Sequence, residues 1–166
     1  MIVEGAAVVV HGDDVDTDVL YPGSFLNVDD PAQMRSHLFE GLDPGLRELL
    51  VGDTILVVGA NFGSGSSREH VPLAMRASGI RCVLGRSFAR IFQRNCVNLG
   101  LLVVAAPAAA AAASQGVNVR IDTETGEIRV GDERFRARPI PRFVLDLIEA
   151  GGLVPWGRSR ARERRI

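Results

Sequence analysis

Between Thr54 and Val104, three short runs of β-branched and aliphatic residues alternate with two segments whose apolar residues fall at helical spacing. The runs are 54–58 (TILVV), 81–84 (RCVL) and 101–104 (LLVV), and the segments between them are 73–78 and 88–95. A short apolar run bounded by turn residues reads as a strand buried on both faces. Strands joined through single short helices read as βαβ crossovers, which build a parallel sheet. Gly79 sits just after the first helical segment, where a left-handed residue commonly ends a helix. This alternation constrains the chain more than any other feature.

The flanking segments extend the same architecture. Val8-Val9-Val10 predicts a strand on the N-terminal side, and 31–40 carries weak helical spacing through Met34 and Leu38 until Gly41 stops it. The alanine tract 108–113 predicts a short helix ending near Gly116. Two strands at 117–121 and 128–130, joined by Asp122-Thr123-Glu124-Thr125-Gly126-Glu127, predict a β-hairpin. Phe143, Val144, Leu147 and Ile148 then mark an amphipathic helix over 143–150, followed by Gly151. The expected fold class is α/β, with a partly parallel sheet and a β-hairpin extension, as one domain over 1–157. The last nine residues, 158–166, hold five arginines and one glutamate. That +4 tail, without aromatic residues, reads as a solvated, frayed and disordered end.

Composition excludes several chemistries. All 19 basic residues are arginine, so neither a Schiff-base lysine nor a P-loop lysine exists. Cys82 and Cys96 lie 14 residues apart, and His11, His37 and His70 are scattered. No metal site is expected, because structural zinc and iron–sulfur clusters need several ligands from close turns. The net charge of −1 provides no general attraction to nucleic acid or to a membrane surface. The longest apolar stretch, 99–113, is mostly alanine and contains Pro107, so it is too weak to span a bilayer. With no signal-type N-terminal segment, a cytoplasmic protein is the expectation.

The segment Gly63-Ser64-Gly65-Ser66-Ser67-Arg68-Glu69-His70 lies between a strand and a helix. Glycines allow close backbone approach to a ligand, a helix N-terminus offers N–H groups, and Arg68 adds a planar fork suited to a carboxylate. Ser66-x-x-Glu69 also fits a capping box. Pro72 argues instead for a helix starting near Val71 with the proline at its first position, leaving both serines in the loop. The dinucleotide fingerprint fails at Arg68, where its third glycine belongs. The acidic loop 13–18 fails the EF-hand pattern, since Val19 and Phe25 occupy its glycine and glutamate positions. Carboxylates that hold the loop through Asx-turns are the alternative there.

Three blocks, Gly12-Asp13-x-x-Asp16-Thr17-Asp18, Asn61-Phe62-Gly63-x-Gly65-Ser66-Ser67-Arg68-Glu69-His70 and Ser87-Phe88-Ala89-Arg90-Ile91-Phe92-x-Arg94-Asn95, together resemble the swivel domain of the aconitase superfamily. Within it they are most similar to the small subunits of 3-isopropylmalate dehydratases and homoaconitases. The resemblance implies a swivelling β/β/α domain that closes over the active site of a separate large subunit, in a heterodimer or heterotetramer. That large subunit would carry the [4Fe–4S] cluster, leaving no cofactor on this chain. The reaction implied is hydro-lyase interconversion of 2- and 3-isopropylmalate in leucine biosynthesis. Homoaconitase and dimethylmalate-type dehydratase are the related alternatives, and a non-catalytic anion-binding module is the distant one.

By the same resemblance, Ser66 matches the serine that acts as alkoxide base. Ser67 and Arg68 match residues that bind a substrate carboxylate, and Asp18 matches an active-site carboxylate. Phe25, Leu26, Asn27 and Val28 match the stretch that meets the variable arm of the malate-type substrate. No arginine precedes Arg35, which favours an uncharged arm. The block 87–95 carries no transferable catalytic role and reads as core packing.

Overall fold

The computed structural model describes residues 1–163. In chain order, β1 (Ile2–Val9) leads through α1 (Thr17–Leu20), a 3-10 turn at Gly23–Phe25 and α2 (Pro31–Met34). Two further 3-10 segments, Arg35–His37 and Pro44–Leu49, precede β2 (Thr54–Val58), α3 (His70–Ala77), β3 (Ile80–Gly85), α4 (Arg90–Asn98) and β4 (Leu102–Ala105). There follow α5 (Pro107–Ala112), β5 (Asn118–Asp122), β6 (Glu127–Val130), β7 (Glu133–Arg136), α6 (Arg142–Glu149) and α7 (Leu153–Glu163).

The strands form one sheet in the order β4-β3-β2-β1-β5-β6-β7. The four from β4 to β1 run parallel, and the remaining pairings are antiparallel. Register explains why each parallel strand needs apolar residues at successive positions. Val8, Leu56, Val83 and Val103 are paired across the sheet, and so are Ala7, Ile55, Cys82 and Leu102. The first row belongs to a core that also holds Leu20, Tyr21, Phe39, Phe62, Met75 and Phe92. The second belongs to a separate core with Ala109, Ala110, Val119, Ile121, Ile128 and Val130. Helix α5 touches β3 as well as β6 and β7, so the sheet curls around it. Its alanines let the layers approach closely, which accounts for the low-complexity tract.

Four sequence expectations change. β1 spans Ile2–Val9 rather than 8–10, with Ile2, Glu4 and Ala6 exposed between buried or half-buried neighbours, so its first half lacks the apolar run that marks a strand. α3 begins at His70, with Pro72 at its third residue rather than its first. The first turn of a helix has no intrahelical use for its N–H groups, so proline is tolerated there without marking the start. β7 extends the hairpin to a three-stranded meander. As an edge strand it leaves Glu133, Arg134 and Arg136 exposed and lacks the alternation that would reveal it. The tail does not begin at residue 158, because α7 continues through 158–163. Trp156 packs edge-on against Phe143 with ring centroids 5.4 Å apart, and the Arg160 guanidinium lies 5.5 Å from the Trp156 ring. The final part of the expected frayed end, 164–166, lies outside the described residues. Among the described residues, no helix is long and apolar enough to cross a membrane.

Candidate active site

Parallel strands deliver their C-terminal ends to one edge of the sheet, and loops leaving that edge are where α/β proteins assemble sites. Here three such loops meet. They follow β1, β2 and β3 and contain the three blocks singled out in the sequence.

The first two loops are bound to each other by backbone and side chain. Gly63 N donates to Val15 O at 2.9 Å, Thr17 N to Ser64 O at 2.9 Å, and Asp14 N to Ala60 O at 2.9 Å. The buried Thr17 hydroxyl donates to Ser66 O at 2.7 Å, and Asn61 Nδ2 donates to Asp14 Oδ1 at 2.8 Å. The third loop joins through Asn61 N, which donates to Ser87 Oγ at 2.8 Å, and through Ala89 N, which donates to Phe62 O at 3.0 Å.

Two glycines in the cradle have positive φ, 80° at Gly63 and 86° at Gly65. A Cβ on Gly63 would enter the Phe92 ring, and one on Gly65 would enter the Asp16 carboxylate. Their missing side chains therefore make room for the protein's own groups. This corrects the reading that these glycines clear the way for a ligand. Asp16 caps α1, its Oδ1 accepting from Asp18 N at 2.7 Å.

Arg68 is the fixed cation of the site. Its guanidinium donates through one terminal nitrogen to Tyr21 O at 2.7 Å. The other pairs with Asp18 Oδ1, also at 2.7 Å. The Arg68 side chain is 14% exposed and that of Asp18 is 54% exposed, so the pair lies at the rim with the arginine underneath. Two bonds leave further guanidinium N–H donors for a second anion. Ser66 and Ser67 are exposed beside it.

The structure thus brings together Ser66, Ser67, Arg68 and Asp18, with Asp18 directed at Arg68. Of the stretch assigned to the substrate arm, Phe25 is half-buried and stacks on His37 with ring centroids 3.9 Å apart. Val28 packs against the first core, while Leu26 and Asn27 are exposed. Tyr21 sits beneath this segment, stacked on His70 at 5.4 Å and donating its hydroxyl to Phe25 O at 3.1 Å. Burial raises the Tyr21 phenol pKa above its ordinary value.

Sequence reasoning passed over Thr17, Tyr21 and Asn95 as site residues. Asn95 donates from Nδ2 to Ser67 Oγ at 3.1 Å. Thr17 and Asn95 stood inside the quoted blocks, but Tyr21 acts through its backbone carbonyl, for which side-chain identity gives no signal.

The donor set does not fit an iron–sulfur cluster. Cys82 and Cys96 are both fully buried, in the cores on opposite faces of the sheet, and burial pushes both thiols well up. Among the described residues, no group of three His, Cys, Asp or Glu side chains is placed to hold a metal ion.

The fold and this three-loop site define the class: an aconitase-type swivel domain. The Aconitase C-terminal domain family matches residues 47–109, the stretch from the approach to β2 into α5. A crystal structure of 3-isopropylmalate dehydratase from Methanocaldococcus jannaschii superposes with a TM-score of 0.92 at 35% identity, covering 99% of this chain and 98% of that one. The chain is 46% identical over 147 residues to the 3-isopropylmalate dehydratase small subunit 1 of Methanopyrus kandleri, covering 87% of this chain and 86% of the relative. It is also 42% identical over 148 residues to the 2,3-dimethylmalate dehydratase small subunit of Eubacterium barkeri, covering 88% and 91%. The chain belongs to the 3-isopropylmalate dehydratase small-subunit family.

Proposed function

We propose that this chain is the swivelling subunit of a hydro-lyase that interconverts 2-isopropylmalate and 3-isopropylmalate in cytoplasmic leucine biosynthesis. It acts by closing over a large subunit that carries the [4Fe–4S] cluster. The observation that carries this reading is the rim itself: two exposed serine hydroxyls beside an arginine fixed by Tyr21 O and Asp18. Arg68 and Ser67 bind a substrate carboxylate. Ser66 Oγ removes the carbon-bound proton during dehydration and returns one during rehydration.

Asp18 serves this site through Arg68. A second carboxylate placed directly on a dicarboxylate substrate would repel it, whereas on the guanidinium it orients the fork.

The proton chemistry dictates dependence on a partner. A hydroxyl loses its proton with a pKa near that of water, about 15.7. A helix terminus contributes ~2 kcal/mol at most, or about 1.5 pKa units. Ser66 therefore needs Arg68 and exclusion of water on closure to act as a base. The chain alone is expected to be inactive.

Of the arm segment, Leu26 and Asn27 are exposed while Phe25 and Val28 are half-buried, and no arginine precedes Arg35 to pair with a third carboxylate. An alkyl arm fits. The test is anaerobic mixing of this chain with its iron–sulfur large subunit, assayed beside each chain alone with 3-isopropylmalate and with 2,3-dimethylmalate. Turnover of 3-isopropylmalate only in the mixture is the expected result. A preference for 2,3-dimethylmalate, the substrate named for the Eubacterium barkeri relative, would keep the reaction and replace the substrate. Turnover by the chain alone would overturn the mechanism.

A further inference from the structure

We infer that Asn95 is a positioning residue that sets the Ser67 hydroxyl as a hydrogen-bond donor toward the substrate carboxylate. This rests on the functional reading above and deepens it. Within the block 87–95, Phe92 is buried and Phe88 half-buried, stacked on each other in the first core, which is the packing role that block suggests. Asn95 does something different. It leaves α4 on the flank of the cradle, and its amide reaches Ser67 Oγ from 28 residues away in the chain.

The direction of that bond decides the chemistry. A hydroxyl has one proton and two acceptor lone pairs, whereas an amide nitrogen donates and does not accept. With Asn95 Nδ2 filling one lone pair, the Ser67 proton has to point elsewhere. Ser67 is exposed next to Arg68, so the proton is available to an anion docking there. A hydroxyl that accepts one bond is also polarised for donating another. Ser67 therefore meets substrate as an oriented donor, and its proton is not lost to a neighbouring carbonyl.

The test is steady-state kinetics of the reconstituted two-subunit enzyme with 3-isopropylmalate, using wild type, Ser67→Ala, Asn95→Ala and the double variant. Alanine is a favourable helix residue, and the Asn95 backbone carbonyl keeps its bond from Leu99 N. Asn95→Ala should raise KM about threefold to tenfold with kcat within about twofold, the scale of one lost hydrogen bond. In the Ser67→Ala background it should add nothing further.

Asn95→Asp provides an isosteric control. A carboxylate accepts the Ser67 proton instead of donating to its oxygen, so KM should rise at least as far as with alanine. An unchanged KM for Asn95→Ala in an active enzyme overturns the inference and leaves the functional reading standing. So does an equal rise with and without Ser67, because it would mark a structural role. If the wild-type pair forms a complex but does not turn over 3-isopropylmalate, the functional reading fails and the inference falls with it.

Discussion

Gly65 and Gly12 provide a matched pair for testing how the cradle is held. Both have positive φ, 86° and 97°, and both lie in loops at the same edge of the sheet. An alanine at either position carries the same backbone strain, about 1–2 kcal/mol. Their surroundings differ. A Cβ at Gly12 meets nothing within 4 Å, whereas a Cβ at Gly65 displaces the Asp16 carboxylate. That carboxylate is the N-cap of α1, and losing such a cap costs about 1 kcal/mol. Gly12→Ala should therefore destabilise by about 1–2 kcal/mol and Gly65→Ala by about 2–3 kcal/mol. For a chain of this size the difference should appear as a further fall of about 2–4 °C in Tm. Urea unfolding followed by Trp156 fluorescence and by circular dichroism measures it. The functional consequence follows the same route. Asp16 holds Asp18 N, and Asp18 holds Arg68, so Gly65→Ala should lower kcat/KM in the two-subunit enzyme by about tenfold, equivalent to about 1.4 kcal/mol. Gly12→Ala should stay within about twofold of wild type. Equal destabilisation by the two variants, or wild-type kcat/KM for Gly65→Ala, would refute the assignment of Asp16 as the strut beneath the arginine.

Arg68→Lys keeps the charge but gives up the fork that bonds Tyr21 O and Asp18 together. Loss of one charge-assisted bond, about 1.5–3 kcal/mol, should cut kcat/KM roughly 10- to 100-fold. Retention within threefold would show that only the charge matters. Asn27→Arg places a cation in the exposed arm segment and should shift preference toward substrates with an additional carboxylate, read as the ratio of kcat/KM values. An unchanged ratio would remove residues 25–28 from specificity. Burial raises both thiol pKa values, so the folded chain keeps protons that the unfolded chain releases above about pH 8.5. The stabilising contribution is complete below that pH and is lost as pH rises. The fall in unfolding free energy between pH 7 and pH 10 should be smaller in Cys82→Ala than in wild type. The same slope in both would contradict the shift.

Strands β2 to β4 were legible because they are largely buried on both faces and apolar at successive positions, whereas β1, expected only over 8–10, runs from Ile2 with Glu4 and Ala6 exposed. Residues 54–58 were expected and found as β2, and β3 and β4 each start within one residue of their expected positions. Elements held by a few specific contacts were not legible. β7 hides its pairing behind exposed charges, and α7 has an arginine-rich sequence whose visible anchors are the packing of Trp156 on Phe143 and Arg160 over the indole. The site divides along the same line. A glycine- and serine-rich loop ending in arginine carries the residue types that an anion cradle would use. What the arginine and the glycines touch depends on loops that the parallel pairing of β1, β2 and β3 brings together. Arg68 reaches a carbonyl 47 residues away, and Thr17 reaches Ser66 across 49. The glycines illustrate the consequence. Read locally, Gly63 and Gly65 offer space to a ligand; in the folded chain that space holds Phe92 and Asp16. Their absent side chains allow the second loop to sit directly on the first and third. The three side chains proposed to meet the anion, Ser66, Ser67 and Arg68, follow directly on this closely packed backbone, so their placement is inherited from contacts that no local reading of the loop contains.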